Sequence, residues 1–419
     1  MPSKKNVSIL ALGAESAGNF SFYNQGKVYF SKDFGDLLEE KNRENYKKTV
    51  LTYLKKNKIK PQIVLTDLHP LFNTTRWGAE LAQKYGTKHI QVQHHLAHIF
   101  STIGDRIIHD TSHIIPDTFY GIACDGTGYG TDGKIWGGEI FQISNCLISN
   151  SPNKIPESKF KISRIGYLEN QIMIGGDVAI REPARMLISI LSKFLNKAEV
   201  YKHIEKYYSR NEFELLYNQL QQNFNCQETS SAGRILDAVS LLLGFCGNER
   251  NYKHEPIDLL EKNSTEPYAD LKPKIKGITD PKSQITNYQL LITPLFEYLL
   301  KYLPGNVDGN VPRDKHRLAA TAQFYLAQGV YEILQSVRHP ERSPYPDEVE
   351  GSSNNKQKSA NRSKIFLFTQ DDVFFAGGLA NNKIISEYLT SKGAYVSEVI
   401  PRGDAGISFG QVVYCLLSK

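Results

Sequence analysis

Cysteine is scarce in this chain: five thiols in 419 residues, Cys124, Cys146, Cys226, Cys246 and Cys415, stand far apart with no C-x-x-C pair among them. That spacing excludes a readable zinc ribbon or disulfide framework and suits a reducing compartment. Long apolar runs are missing as well. No stretch approaches the roughly 20 residues that a membrane-spanning helix needs. The short apolar run behind Lys4 and Lys5 is closed by Glu15 before a secretory leader is complete. No charge of one sign dominates either. Lys and Arg number 50 against 44 Asp and Glu, leaving +6 at pH 7. The excess is spread along the chain instead of gathered into the basic face of a dedicated nucleic-acid binder. The expectation is a cytoplasmic protein with neither membrane nor nucleic acid as partner, whose charge balance neither demands nor excludes an anionic ligand.

What is present is enough apolar material, 40% of the residues, for roughly two or three subdomains. Val7 to Leu12 reads as a buried strand, and Phe20 to Tyr23 and Lys27 to Phe30 as a hairpin closed by Asn24-Gln25-Gly26. Tyr46, Val50, Leu51 and Leu54 stand at helical spacing within Asn42 to Lys58. Gln62 to Thr66 then reads as a strand, Thr74 to Tyr85 as a helix and His89 to Gln93 as a strand. Three strands followed by alternating helix and strand are the layout of a ribonuclease-H-like half of an actin-like ATPase fold. A second start of the same kind lies at Tyr120 to Cys124, which runs into a turn at Asp125-Gly126-Thr127-Gly128 and a strand over Ile135 to Ile143.

The expected fold class is therefore α/β, with duplicated ribonuclease-H-like (actin-like ATPase, ASKHA) halves and a helical insertion. Residues 1–118 make the first half and 119–419 the second. Within the latter, 181–337 is rich in Leu, Ala and Tyr at helical spacing and reads as the insertion. The stretch 338–364 carries Pro340, Pro344 and Pro346 with almost no apolar residues and reads as a disordered loop. Strands resume at Ile365 to Phe368 and Val373 to Ala376, Gly377-Gly378 opens a helix, a strand lies near Tyr395 to Ile400, and a last helix starts near Ile407.

Five segments can carry chemistry. In Gln93-His94-His95-Leu96-Ala97-His98, His94 and His98 stand four apart at a helix start, so both imidazoles can face one metal ion. Zinc, iron, copper and nickel all suit imidazole, and the spacing does not choose among them. An arbitrary H-x-x-x-H is more often a solvated or core-satisfied pair. Here Asp125 and Asp404, each in a glycine-rich strand turn, can complete a mixed nitrogen and oxygen site. His95 projects elsewhere, to a ligand or as a brace for the metal ligands. Asp125 to Gly133 holds four glycines in nine positions, more than a hairpin requires, and lets backbone N–H groups approach an oxyanion. Ala376-Gly377-Gly378 is a turn that enters a helix and offers N–H groups to phosphate, and Gly403-Asp404-Ala405-Gly406 is a turn that enters a helix with the Asp404 carboxylate at its mouth, a helix cap were the histidines absent. In Gly175 to Arg185, Pro183 suits a helix start, and Asp177, Arg181 and Arg185 are free for an anion or a carbonyl group, or else form a surface ion-pair cluster.

The ordered set of Asp67-Leu68-His69-Pro70, His94 to His98, Asp125 to Gly133 with Trp136-Gly137-Gly138-Glu139, Gly175 to Pro183, Thr229 to Val239, Gly377-Gly378 and Asp404 to Ser408 resembles the C-terminal transferase module of the hydrogenase-maturation carbamoyltransferases. The resemblance covers nearly the whole chain outside 338–364. It implies transfer of a carbamoyl group from carbamoyl adenylate, made from carbamoyl phosphate and ATP, to the C-terminal cysteine of a thiol-bearing maturation dehydratase. It also implies a divalent metal, iron or zinc first, on His94, His98, Asp125 and Asp404, and ATP or carbamoyl adenylate as the other cofactor. Under the same resemblance His95, Asp125 and Arg181 are the catalytic residues. Gly126, Thr127, Gly128, Gly176, Asp177, Gly233, Asp237, Gly377, Gly378 and Asn381 then hold the nucleotide.

Complete family members carry an acylphosphatase-like domain, two zinc-finger segments and an adenylate-forming domain ahead of this module. None is found in the sequence, so the expectation is a stand-alone module that accepts carbamoyl adenylate, or carbamoyl phosphate with ATP, its donor made by this chain or supplied by a separate adenylate-forming protein. Ala17 stands where the family usually has lysine, and His254-Glu255-Pro256-Ile257 replaces a small Gly-Gln-Ala run. The competing readings are an O-carbamoyltransferase that acts on a small-molecule hydroxyl and a degenerate scaffold that binds nucleotide or a partner.

Overall fold

The computed structural model describes residues 7–110, 115–145, 159–279, 286–303, 311–338 and 373–418. The chain opens with β1 (Ser8–Ala11), β2 (Ser21–Asn24), β3 (Lys27–Phe30), α1 (Glu40–Lys56), β4 (Ile63–Asp67), α2 (Asn73–Tyr85), β5 (Lys88–Val92) and α3 (His94–His109). The sheet order is β3-β2-β1-β4-β5. Its first three strands pair antiparallel, and β4 and β5 add on in parallel. Alternation along β1 divides the apolar residues between two faces. Leu10 and Leu12 pack with Tyr46, Val50 and Leu54 of α1 and Leu81 of α2, while Ile9 and Ala11 pack on Val412, Cys415 and Leu416 from the far end of the chain.

The second half begins with β6 (Thr118–Tyr129), β7 (Ile135–Asn145) and β8 (Phe160–Leu168). It continues through β9 (Gln171–Ile174), α4 (Val178–Arg181), α5 (Pro183–Leu191), α6 (Lys197–Ile204), α7 (Arg210–Gln221), β10 (Cys226–Thr229), α8 (Ala232–Leu242), α9 (Glu255–Lys262), β11 (Ile275–Thr279), β12 (Thr286–Leu290), α10 (Thr293–Tyr302) and α11 (Lys315–Arg338). It ends with β13 (Val373–Ala376), α12 (Lys383–Ser391), β14 (Ala394–Val396) and α13 (Ile407–Leu417). The path β8-β7-β6-β13-β14 repeats the order and the strand directions of the first sheet, so the fold is the expected duplication of ribonuclease-H-like halves.

The two halves exchange helices. Leu96, Ile99, Phe100 and Ile103 of α3 pack on Phe119, Ala123, Phe141 and Phe374 of the second sheet, whereas α13 packs on the first sheet. Where α3 and α13 cross, a Cβ at Gly410 would fall 1.8 Å from the Ala97 carbonyl oxygen. Only a residue without a side chain permits that approach.

Four local features differ from the sequence expectation. The insertion is mainly helical but also supplies β10, β11 and β12, and β12 lies parallel to β8 with β11 beyond it. β11 is largely exposed, β10 is half exposed and β12 is partly buried, and all three carry few apolar residues, so no period of two announces them. Asp125 to Gly128 lie inside β6 at a register shift, not in a turn. The glycines serve close contact there: a Cβ on Gly128 would come within 2.4 Å of His95 Cε1 and 2.7 Å of His94 Cδ2. Gly377-Gly378 leads into a 3-10 turn, and α12 starts at Lys383 behind an Asn382 cap. Finally, β14 stops at Val396 because the next backbone N–H groups, of Glu398, Val399 and Ile400, donate to the buried Asp105 carboxylate on α3. The expected loop 338–364, beyond Arg338, and the expected strand Ile365 to Phe368 lie outside the described residues. No described helix is long and apolar enough to cross a membrane.

Candidate functional site

The first turn of α3 is buried where the halves meet, and Gln93 caps it by accepting from the Leu96 N–H at 2.9 Å. His94 Nδ1 lies 2.7 Å from Asp67 Oδ2 at the end of β4. That contact turns Nε2 toward Asp125 Oδ2 at 3.1 Å and Asp404 Oδ1 at 3.6 Å. His98 Nε2 is 3.4 Å from each of the same two oxygens, yet this buried nitrogen makes no properly directed hydrogen bond. The four ligand atoms of His94, His98, Asp125 and Asp404 lie within 4.8 Å of one another.

A metal ion fits these residues. Bonds of about 2.1 Å place neighbouring ligand atoms roughly 3.0 to 3.4 Å apart in octahedral or tetrahedral geometry, close to the spacings between imidazoles and carboxylates here. The donors are imidazole and carboxylate, and one of them is an orphaned buried nitrogen that an ion would satisfy. The Asp67 contact orients a ligand histidine in the manner usual for metal centres.

Electrostatics within the cluster is strongly coupled. Burial works against the charged form of His94, but Asp67, helped by Asp125 and Asp404, overrides it and raises the pKa well above the ordinary histidine value. Burial likewise opposes protonation of His98, and the same two carboxylates raise it. Burial would push Asp125 up, and the two histidines hold it well below the carboxylate range. For Asp404 burial is opposed by the Lys253 charge and the histidines, again with a net lowering. His95 behaves in the opposite way. Burial and the neighbouring His94 charge keep it neutral. Since Gln93 Oε1 accepts from Leu96, its amide nitrogen faces His95 Nδ1 at 3.0 Å and the Tyr129 carbonyl at 3.2 Å, which leaves the His95 proton on Nε2.

Other expected residues gather around this centre. Gly377 has φ +94°, and a Cβ there would meet the Cys124 carbonyl oxygen at 2.3 Å. The turn brings the Gly378 N–H onto Asp125 Oδ1 at 3.1 Å, and Asn381 Nδ2 closes it on the Gly378 carbonyl at 3.2 Å. Gly233, on the first turn of α8, backs onto the Cα of Gly126, and Ser231 Oγ donates to the Gly126 carbonyl. Thr127 completes the bulged stretch between Gly126 and Gly128. Gly176, with φ +59°, forms the turn before α4. The exposed Asp177 lies near enough to His69 for its charge to be felt there. Arg181 is also exposed, at the end of α4, and no polar contact among the described residues draws it to the cluster. Arg185 is taken up by Glu182 at 2.7 Å. Asp237 is buried and shared by two arginines, Arg234 at 2.8 Å and Arg250.

Sequence reasoning gave no role to Asp67, Ser16, Arg250 or Lys253. Ser16 Oγ donates to Asp404 Oδ2, and Lys253 Nζ lies 3.3 Å from the same oxygen. Asp67 had a usable signal, a carboxylate at the carboxyl end of a parallel strand, where open α/β sheets bind ligands. Arg250 and Lys253 come from an irregular loop with no such signal.

Comparison with known proteins agrees with this architecture. The family models described as "HypF Kae1-like domain" and "Carbamoyltransferase, Kae1-like Domain, second subdomain" match residues 4–105 and 121–343. The probable carbamoyltransferase HypF of Methanocaldococcus jannaschii is 32% identical over 99% of this chain and 47% of its own length. Carbamoyltransferase HypF of Rhodobacter capsulatus is 29% identical over 97% of this chain and 46% of its own. This chain thus spans about half the length of these curated relatives. Full-length HypF in its phosphate- and nucleotide-bound form superposes with a TM-score of 0.75 at 23% identity, covering 99% of this chain and 47% of that one, which shows the shared fold. With family models matching on both sides of the central cluster, the chain belongs to the HypF Kae1-like carbamoyltransferase family.

Proposed function

We propose that this chain transfers a carbamoyl group from carbamoyl adenylate, derived from carbamoyl phosphate and ATP, to the C-terminal cysteine thiol of a hydrogenase-maturation partner. The observation that carries the reading is the buried set of His94, His98, Asp125 and Asp404, in a chain whose relatives are named carbamoyltransferases. A divalent ion, iron or zinc, would be held by these four residues and would supply Lewis acidity toward the carbamoyl oxygen. Asp67 fixes the ring of His94, and the Gly378 N–H fixes one oxygen of Asp125 while the other faces the histidines. The neutral His95 braces the first turn of α3 through Gln93.

The acceptor thiol comes from another protein. Burial, together with Glu139 and Asp125, pushes the Cys124 thiol far above its ordinary range. Burial pushes Cys246 up to about 11 and raises Cys226, so none of the three offers a thiolate near neutral pH. In the transfer the partner's sulfur bonds to the carbamoyl carbon, the bond to the adenylate oxygen breaks, AMP departs and the thiol proton passes to water. The test mixes purified, iron- or zinc-loaded protein and a partner's C-terminal peptide with carbamoyl adenylate supplied by an adenylate-forming domain. Mass spectrometry should find one carbamoyl group on the peptide cysteine. An unmodified cysteine would sink the reading, and a carbamoylated small-molecule hydroxyl would redirect it to an O-carbamoyltransferase.

A further inference from the structure

Beside the cluster lies a second polar group whose charges do not balance. Arg234 on α8 and Arg250 in the loop after it have side chains only 5% and 7% exposed, and both converge on the Oδ2 atom of Asp237, which is 1% exposed. Arg250 Nη1 also donates to the Lys253 carbonyl at 2.7 Å. Each guanidinium carries five N–H donors, and the Nε of both is buried without a partner. Two buried cations thus share the Oδ2 of one carboxylate as their direct ion-pair partner, with Asp125 acting on Arg234 from farther off. Buried charge left uncompensated is costly, which a bound anion would relieve.

Position says where such an anion would sit. The guanidinium of Arg234 lies against Gly126, where a Cβ would be 3.8 Å from Nη2, one residue from Asp125. The Arg250 bond to Lys253 ties the pair to the loop whose lysine reaches Asp404. The exposed His254, next to Lys253, lies near enough to Asp404 and Asp125 for their charges to act on it. The net positive pair therefore borders the proposed metal ligands on the α8 side. Asp237 serves the arginines as counter-ion through Oδ2, while its Oδ1 is buried without a partner.

We propose that Arg234 and Arg250, set by Asp237, form a phosphate-binding subsite that grips the phosphoryl group of the donor next to the metal ligands. The proposal rests on the carbamoyl-transfer reading for the identity of the donor, and on the arginine geometry alone for the chemistry of the ligand. Arginine forks suit phosphate oxygens in a way that a lysine does not.

Calorimetry on the intact, metal-loaded chain separates the sources of phosphate with three probes: AMP, adenosine and inorganic phosphate. AMP should bind wild type about tenfold to a hundredfold more tightly than adenosine, the effect expected for charged hydrogen bonds. Arg234→Gln or Arg250→Gln should erase most of that preference and leave adenosine affinity unchanged. Competition by inorganic phosphate against AMP should weaken in parallel. Equal binding of AMP and adenosine by wild type, or an intact preference in both variants, would overturn the proposal. Should the glutamine variants fail to fold, Arg234→Lys and Arg250→Lys keep the charge opposite Asp237 and lose the fork. A reduced AMP preference in them supports the subsite, and an undiminished one overturns it. Failure of thiol carbamoylation with AMP preference intact would sink the transfer reading and leave the phosphate subsite standing.

Discussion

The two halves share one strand order but divide the chemistry unequally. The first sheet is small, its two faces filled by α1 and α2 on one side and by α13 on the other. Its contribution to the site is Asp67 at the end of β4 and, through α3, two histidines. The second sheet bears the helical insertion and an added edge hairpin, and its half supplies Asp125, Asp404 and the arginine pair. Duplication therefore gave two similar frames, while the histidines and carboxylates come together only where one frame lends a helix to the other. The crossing of α3 with α13, possible because Gly410 has no Cβ, lets residues far apart in sequence face one centre.

Cutting the first half out of the cluster should have the largest effect. His94→Ala with His98→Ala should abolish stoichiometric binding of a divalent ion in metal analysis. It also leaves the buried Asp67 Oδ2 without its charged partner, while Oδ1 keeps the His69 N–H, which should lower unfolding stability by about 3 kcal/mol in urea titrations. Metal bound at full occupancy by the double variant would break the assignment. A gentler cut is Asp67→Asn, which keeps both ligands and removes the charge that orients His94. It should weaken metal affinity by about tenfold to a hundredfold, read by competition with a chelator, with little change in adenosine affinity.

The join between the halves is tested by Asp105→Asn. Asp105 accepts from Glu398, Val399 and Ile400 N–H groups and from the Tyr395 hydroxyl, and so holds the loop that leads to Asp404 against the helix that carries the histidines. Loss of charged acceptors should cost about 1 to 3 kcal/mol and should speed hydrogen exchange at 398–400 relative to wild type. Unchanged exchange there would show that the loop is held by other contacts.

The smallest expected effect is on pH dependence of the metal-free chain. His94 and His98 are raised above 6.5, so their contribution is complete below that value and fades as pH rises through the raised values. Asp125 and Asp404 are lowered below 3.8, so theirs is complete above that value and fades on acidification through the lowered ones. Metal-free stability should therefore be greatest at weakly acidic pH. Adding the ion should shift that maximum upward, because metal binding displaces protons from histidine. A maximum that stays in place with metal would count against His94 and His98 as ligands.

Much of this was legible in the chain. The duplication could be seen because Val7 to Leu12 and Tyr120 to Cys124 are buried strands followed by similar element orders, and the meeting of His94 with His98 because H-x-x-x-H puts two imidazoles on one helical face. The glycine-rich stretch after Asp125 was noticed but read as a turn, since sequence shows that a side chain is missing without showing which neighbour needs the room. Asp237 was singled out for a nucleotide, and its capture by Arg234 and Arg250 was invisible because Arg250 belongs to a loop without periodicity. Arg181 had suitable chemistry in a suitable motif, and the fold leaves it exposed at the end of α4.

The sequence by itself determined the local order, strands of period two, helices with apolar faces and the His94 and His98 pair, because these depend on neighbours within a few residues. Tertiary structure alone decided that α3 would pack on the other half's sheet, that Asp67 would turn His94 toward Asp125 and Asp404, and that two arginines would share one buried carboxylate. Those outcomes depend on close packing between distant segments, where the presence or absence of one Cβ sets which charges can meet.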